Sequence, residues 1–161
     1  MFPDLHDPLP SGARLDHVPA MRLHASCAAL DGHGVLLTGA PGCGKSDLLI
    51  RLIDAGFDLV ADDQVVVEGG VARAVTNLRG LIELRGLGIQ HLPSVAAARI
   101  VLAVELDKSL SDRLPHPRHH AVLNVPLIRL DPAQPSAVAR LRVALGCARG
   151  DLTQLAGAFA T

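Results

Sequence analysis

The sequence predicts one α/β domain with a mixed central sheet and flanking helices. Three observations support this prediction. Short runs rich in Val, Leu and Ile alternate with glycine-rich turns, an amphipathic segment directly follows one of these runs, and 161 residues suffice for one ordinary domain. Hydrophobic residues make up 49% of the chain but aromatic residues only 2%, so the core must be built from aliphatic side chains.

Composition argues against several classes of protein. The formal net charge is −1 and no long basic run is present, so nucleic acid is not an expected partner. Every apolar run is far shorter than the roughly 20 residues that a membrane-spanning helix needs, and residues 1–10 lack the order of a signal peptide. Three cysteines without CxxC spacing indicate reduced thiols. We therefore expect a cytoplasmic protein that does not contact membranes.

The chain divides into three parts. Four prolines and little periodicity predict a poorly ordered arm over residues 1–20, followed by the domain over 21–150 and a C-terminal tail over 151–161. Within the domain, the apolar segments 23–30 and 34–39 flank a glycine-containing turn, which predicts a β-hairpin.

The remaining elements follow from periodicity and turn residues. Apolar residues at helical spacing predict a helix from Lys45 to Ala55 that Gly56 ends. Strands are predicted at 58–63, at 64–76 as a hairpin around Gly69 and Gly70, at 99–106 and at 125–130. The run 99–106 is nearly all apolar, which is typical of a central strand. An exposed loop is predicted over 114–124, and a last helix from a Ser136 cap to about Ala148.

One motif carries phosphate chemistry. The segment Gly39, Ala40, Pro41, Gly42, Cys43, Gly44, Lys45, Ser46 matches G-x-x-x-x-G-K-[ST] between a predicted strand and a predicted helix. Its glycines let backbone N–H groups surround a phosphate, and the helix N-terminus adds partial positive charge. Lys45 is expected to reach the β and γ phosphates and the Ser46 hydroxyl to ligate Mg²⁺, so the sequence predicts binding of a nucleoside triphosphate with Mg²⁺.

Acidic residues follow the next strand. Asp62 and Asp63 end a predicted strand beside the phosphate loop, where one acid can serve the metal and the other the substrate. Exposed turn acids are the alternative interpretation. Glu83 and Arg85 lie in LIELRGLGI, whose Gly86 and Gly88 break helix and strand patterns; here the alternative is a buried structural ion pair.

The other candidate residues give weaker signals. His24 lies on a predicted strand, where a lone histidine is commonly structural. His116, His119 and His120 resemble a metal tract only weakly, because they lack cysteine partners. Cys43 lies in the phosphate loop, where it could sense oxidants or merely occupy a permissive position.

Taken in order, LHAS, GHGVLLTGAPGCGKSDLLIRLIDAGFDLVADDQV and LIELRGLGI resemble the C-terminal catalytic domain of HPr kinase/phosphorylase. The resemblance extends over about residues 21–148. It implies a P-loop fold similar to the nucleotide-binding part of phosphoenolpyruvate carboxykinase. It also implies a serine kinase that uses ATP and Mg²⁺ to phosphorylate an HPr-like phosphocarrier protein of the phosphotransferase system, and a homo-hexamer.

The resemblance implies roles for individual residues. Asp62 falls on the family's catalytic acid, which takes the proton of the acceptor serine, and Asp63 on its neighbour, which we assign to the metal. Glu83 falls on an acid implicated in Mg²⁺ binding, Arg85 on the signature arginine, and His24 on an active-site histidine.

The sequence also departs from the family pattern. The family's N-terminal domain is replaced by the proline-rich arm, as in truncated proteobacterial forms, and Asp47 replaces a glutamate. Residues 131–136 replace a Pro-Gly-Arg-Asn stretch used for the reverse, phosphorylase reaction, so that reaction is left open. Two other functions remain as alternatives: a small-molecule kinase or ATPase, and a nucleotide-sensing module without turnover.

Overall fold

The structure is a computed structural model that describes residues 19–109 and 112–161. The arm predicted over 1–20 lies, up to residue 18, outside the described residues.

The order of elements agrees with the sequence prediction in most places. The strands are Met21–His24 (β1), Ser26–Leu30 (β2), His33–Thr38 (β3), Asp58–Ala61 (β4), Gln64–Glu68 (β5), Val71–Ala74 (β6), Leu81–Leu84 (β7), Gly88–His91 (β8), Ala98–Leu106 (β9) and Leu127–Leu130 (β10). The helices are Lys45–Asp54 (α1) and Ala137–Arg149 (α2), with a short 3-10 turn at Thr76–Leu78.

Eight strands form one mixed sheet, as predicted. Its order is β1-β5-β6-β9-β3-β2-β4, and β10 also pairs with β9. Strand β9 is parallel to β3 and β10 and antiparallel to β6. The predicted central position of β9 is therefore confirmed, and β2 and β3 form the predicted hairpin.

The parallel pairing determines where the glycine-rich loop lies. Thr38 ends β3 opposite Glu105, and β9 ends one residue later, at Leu106. Parallel strands place their carboxyl ends at one edge of the sheet, where open α/β sheets bind ligands. The loop 39–44 leaves β3 at this edge and leads directly into α1, which begins at Lys45.

Both helices pack on the same face of the sheet. The first core cluster joins the buried faces of α1 and α2 to side chains of the sheet; its largest fully buried members include Leu37, Leu48, Leu49, Leu102 and Leu141. The second cluster fills the opposite face and contains Cys27, Leu36, Val60, Val65 and Ile100. The two helices thus cover one face of the sheet. On the other face, the side chains of the strands pack against one another and against Leu123 and Val125 of a loop.

Two local predictions need correction. Gly86 and Gly88 were expected to interrupt regular structure in LIELRGLGI, but the segment is a hairpin in which β7 and β8 pair antiparallel. The two glycines, with φ of 80° and 117°, shape its turn. Ser136 precedes α2 but makes no side-chain cap; its hydroxyl accepts a hydrogen bond from Arg140 Nε at 2.7 Å instead.

The predicted loop over 114–124 lies in an exposed region. Residues 112–119 are exposed, in agreement with this prediction, and contain no named helix or strand. In the part of the chain that the structure describes, no helix is long and apolar enough to span a membrane.

We predict that Leu102→Ala lowers the free energy of unfolding by about 2 to 5 kcal/mol, because Leu102 is fully buried between the sheet and the helices. Urea unfolding measures this. Leu155→Ala is the matched control, since Leu155 is 94% exposed and its truncation should change stability by less than about 0.5 kcal/mol. Equal losses in the two variants would contradict the core described here.

Candidate active site at the carboxyl edge of the sheet

The loop after β3 has a backbone that depends on glycine. Gly39 has φ of 149°, and a Cβ there would lie 2.7 Å from Cys43 Sγ and 3.3 Å from Leu106 O. Gly44 has φ of 104°, a left-handed conformation that side chains other than glycine rarely adopt. Other residues at these two positions would strain or block the loop. The loop can therefore curve tightly and direct its amides toward an anion at the start of α1.

Lys45 folds back over this loop. Its side chain is buried, and Nζ donates hydrogen bonds to Gly39 O at 3.0 Å and to Ala40 O at 3.3 Å. Nζ also lies 3.7 Å from Cys43 Sγ. The ammonium is thus held at the concave side of the loop. A phosphate oxygen is a charged acceptor and forms stronger hydrogen bonds with Nζ than carbonyl oxygens do.

Asp62 links three elements through one oxygen. Ser46 Oγ, on the first turn of α1, donates a hydrogen bond to Asp62 Oδ1 at 2.8 Å. Ser26 Oγ, on β2, donates to the same oxygen at 2.9 Å. Ser26 is fully buried, so its hydroxyl has a fixed position. The Asp62 carboxylate is consequently held against the hydroxyl that the sequence predicts as a metal ligand.

Asp63 has a different environment from its neighbour. Its φ is 62°, a left-handed conformation that Asp tolerates better than most residues, and its side chain is 65% exposed. Asp63 Oδ1 lies 3.3 Å from His24 Nδ1 at the end of β1. The two adjacent acids thus face different partners, Asp62 the phosphate loop and Asp63 the histidine.

The β7–β8 hairpin forms the opposite wall of the site. Glu83 and Arg85 are both exposed there. The alternative interpretation of a buried structural ion pair between them is therefore wrong. In the antiparallel register Glu83 lies opposite Ile89, so the two side chains share one face of the hairpin.

A single cleft of about 650 Å³ brings the predicted residues together. It extends between the phosphate loop, the start of α1, the β4–β5 turn and the hairpin. Its lining includes His24, Lys45, Ser46, Asp62, Asp63, Glu83 and Arg85. Residues that are distant in the sequence thus meet in a space of the usual size for small-molecule sites.

The donors in this cleft fit Mg²⁺. The Ser46 hydroxyl and the Asp62 carboxylate already lie at 2.8 Å from each other, and oxygen donors are the ligands that Mg²⁺ prefers. Among residues 19–109 and 112–161, no three His, Cys, Asp or Glu residues gather as a metal-holding group. This gives no support to a metal tract at His116, His119 and His120.

Two of the described groups have a shifted pKa. Burial raises the pKa of the Cys27 thiol to about 12, so Cys27 is protonated and unreactive at neutral pH. Asp107 follows β9, and hydrogen bonds from the Ser109 hydroxyl and from the Ser109 backbone N–H lower its pKa. All three cysteines are free, as the sequence predicts.

Ser26 is the site residue that sequence reasoning missed. A signal for it was available, because Ser26 is a polar residue at the start of the apolar strand SCAAL, two positions after His24. A buried hydroxyl at such a place needs a hydrogen-bond partner. What the sequence could not supply was the identity of that partner, which lies 36 residues further along the chain.

The comparison with known protein families agrees with this geometry. Residues 17–112 match the model of the family described as HPr Serine kinase C-terminal domain. The chain belongs to this family. The match extends over the phosphate loop, both adjacent aspartates and the β7–β8 hairpin.

Curated relatives and a solved structure lead to the same family. The chain is 41% identical over 93 residues to an HPr kinase/phosphorylase of Clostridium tetani, a match that covers 54% of this chain and 30% of the relative. It is 37% identical over 128 residues to an HPr kinase/phosphorylase of Aromatoleum aromaticum, covering 66% of this chain and 40% of the relative. The chain thus spans well under half of these relatives.

The solved structure is the Hpr(Ser) kinase/phosphatase from Coxiella burnetii. It matches with a TM-score of 0.69 and 26% sequence identity, and the match covers 81% of this chain and 97% of that chain. These relatives are named as kinases, so the HPr serine kinase C-terminal domain family is a family of enzymes. The mixed α/β fold agrees with that structure.

We predict that Ser26→Ala destabilises the fold by about 1 to 3 kcal/mol, because it removes a buried donor from Asp62. Urea unfolding measures the change. Ser136→Ala is the control, since the hydrogen bond that the Ser136 hydroxyl accepts from Arg140 is exposed. A Ser26→Ala variant as stable as Ser136→Ala would show that the Ser26 hydrogen bond does not hold Asp62.

Proposed function

We propose that this chain is an ATP-dependent serine kinase that acts on an HPr-like phosphocarrier protein. One observation carries the proposal: Ser46 of the phosphate loop is hydrogen-bonded to Asp62, while the adjacent Asp63 is paired with His24 in the same cleft. This arrangement offers one acid to a metal and another to a hydroxyl. ATP as donor, Mg²⁺, the similarity to phosphoenolpyruvate carboxykinase and a homo-oligomer are parts of the same proposal, since the family resemblance supplies them.

The phosphate loop holds the triphosphate in this proposal. Lys45 exchanges its hydrogen bonds to Gly39 O and Ala40 O for bonds to phosphate oxygens, and the amides of residues 40–45 surround the phosphates. Ser46, Asp62 and Glu83 are the side chains that would hold Mg²⁺, which when bound neutralises charge on the β and γ phosphates. Most of the rate then comes from positioning and charge stabilisation.

The geometry favours the opposite division of roles between the two acids from the one assigned from the sequence. The sequence assigns Asp62 to proton transfer and Asp63 to the metal. Asp62 Oδ1, however, already accepts two hydroxyl hydrogen bonds, one of them from the metal-ligand candidate Ser46. Asp63 is exposed and its carboxylate lies beside His24. We therefore propose that Asp62 would help to hold the metal and that Asp63 accepts the proton of the seryl hydroxyl.

The proposed reaction conserves atoms and charge in a simple way. The seryl oxygen forms a bond to the γ-phosphorus as the bond from that phosphorus to the β-γ bridging oxygen breaks, which leaves ADP. The seryl proton moves to the Asp63 carboxylate. His24 Nδ1, 3.3 Å from Asp63 Oδ1, orients this carboxylate toward the acceptor.

The proposal does not extend to the reverse reaction. Residues 131–136 differ from the family stretch that serves it. Pro132 is buried here, and its carbonyl accepts a hydrogen bond from Arg51. A Cβ added to Gly44 would lie 3.4 Å from Cγ of the Pro132 ring, so the ring packs directly against Gly44. This segment therefore supports the phosphate loop from behind.

The test is incubation with γ-labelled ATP, Mg²⁺ and an HPr-like phosphocarrier protein. We expect label on one serine of that protein, with none when this serine is replaced by alanine or when the kinase carries Lys45→Met. Label on free phosphate or on a small metabolite would indicate an ATPase or a small-molecule kinase instead. Tight ATP binding without any transfer would indicate a sensing module.

We predict different defects for the two acids. Asp63→Asn should lower kcat at least about 100-fold and leave ATP affinity nearly unchanged, because a general base contributes to the chemical step. Asp62→Asn should raise the Mg²⁺ concentration needed for half-maximal activity. Steady-state kinetics across an Mg²⁺ titration separates the two effects. The reverse pattern would restore the assignment made from sequence.

A further inference from the structure

A second pocket lies outside the active-site cleft, on the sheet near its β1 edge. It has a volume of about 300 Å³, and its lining includes Arg22 of β1, Val66 of β5 and Arg73 of β6. Residues 20–21 and 74–76 complete the wall, and the lining contains no acidic side chain. The pocket is therefore positively charged.

The strand register places the two arginines on one face of the sheet. Arg22 is opposite Val66, and Val66 is opposite Arg73. Side chains directly opposite each other in neighbouring strands share a face, so the two arginines stand about 10 Å apart with Val66 between them. Val65 and Val67, the neighbours of Val66 along β5, belong to the second core cluster. The arginines thus lie on the opposite face, which also carries the helices.

This end of the helix-bearing face is open to solvent. Helix α1 packs against β2 and β4, and α2 packs against β9, whereas Arg22 and Arg73 are exposed. Arg73 forms an ion pair with Glu68 at 3.3 Å. The ion pairs among residues 19–109 and 112–161 include none to Arg22. The patch formed by Arg22, Arg73 and Glu68 has two cations and one acid, so a positive charge is left over.

The arginine patch adjoins the residues that we propose to receive the acceptor serine. His24, which is paired with Asp63 in the cleft, comes two residues after Arg22 on β1. Alternation along the strand puts the side chains of Arg22 and His24 on the same face, about 7 Å apart. Asp63 is 65% exposed, so a protein can bring a seryl hydroxyl to it from solvent.

A protein acceptor centred on this point covers the patch. A stable interface buries roughly 800 Å² on each partner, which corresponds to a disc of about 16 Å radius. By strand spacing, Arg22 and Arg73 lie within about 12 Å of His24. An acceptor seated at Asp63 and His24 therefore lies over both arginines, and its own charge there determines whether the contact is favourable.

We propose that Arg22 and Arg73 form a docking site for an acidic surface segment of the acceptor protein. The inference rests on the proposed kinase function and adds to it the place where the acceptor is recognised. Arginine suits this role, because its guanidinium forms paired hydrogen bonds with carboxylates and is enriched among the interface residues that contribute most to binding. Such docking selects the acceptor and leaves the reacting groups untouched, so it acts on KM and not on kcat.

The test is steady-state kinetics with the HPr-like acceptor at saturating ATP and Mg²⁺. We expect Arg22→Glu to raise the KM for the acceptor at least about tenfold and Arg73→Gln at least about threefold, with kcat within about twofold. Glu68→Gln should lower this KM, since it releases Arg73 from its ion pair. Added salt should raise the KM of the unsubstituted chain but not that of Arg22→Glu, because salt screens an attraction in the first and a repulsion in the second.

Arg149→Gln is the matched control for Arg73→Gln. Arg149 pairs with Asp31 of the β2–β3 turn, at the opposite edge of the sheet from Asp63, so its loss should leave the KM for the acceptor unchanged. ATP affinity, measured by calorimetry, should be the same in all variants, and thermal melting checks their fold. Lysine substitutions of single acidic residues of the acceptor give a second test: one of them should restore a low KM in Arg22→Glu and raise it with the unsubstituted chain.

An unchanged KM for the acceptor in Arg22→Glu would overturn the inference, as would a fall in kcat at constant KM. Binding of succinate that Arg22→Glu abolishes, together with an unchanged KM for the acceptor, would assign the pocket to a small anion and also overturn it. Failure of the unsubstituted chain to phosphorylate the acceptor would instead contradict the proposed function itself.

Discussion

The Asp62 carboxylate joins parts of the chain that are distant in sequence. Its Oδ1 accepts hydrogen bonds from Ser46 at the start of α1 and from Ser26 on β2, and Asp62 itself follows β4. Because Ser26 is fully buried, these contacts fix the β4–β5 turn relative to the phosphate loop. The position of Asp63, and with it the pairing to His24, depends on this turn.

The parallel pairing of β3 with β9 provides the frame for that interaction. It places the loop 39–44 at the carboxyl edge of the sheet, and the left-handed glycines let the chain turn there into α1. The aliphatic core under α1 and α2 holds the helix in place. Few aromatic residues were needed, because helices and sheet meet over a broad surface of Leu, Val and Ile. The hairpin then closes the cleft from the other side.

Sequence reasoning predicted the phosphate loop, the helix behind it and most strands, because each depends on local signals: glycine spacing, helical periodicity and β-branched runs. It missed the β7–β8 hairpin, since strands of four residues interrupted by Gly86 and Gly88 give no clear period. It assigned Asp62 to proton transfer and Asp63 to the metal, whereas we propose the reverse. The proposed exchange rests on the left-handed backbone at Asp63 and on a hydrogen bond from Ser26, and both are properties of the folded chain.

A crystal structure with Mn²⁺ and a non-hydrolysable ATP analogue tests the central claim most directly, because anomalous scattering locates the metal. We expect the metal next to the Ser46 hydroxyl and the Asp62 carboxylate, and the triphosphate within the loop 39–46. Asp63 should face the γ-phosphate without contacting the metal. A metal bound by Asp63, or a triphosphate outside this loop, would contradict the account.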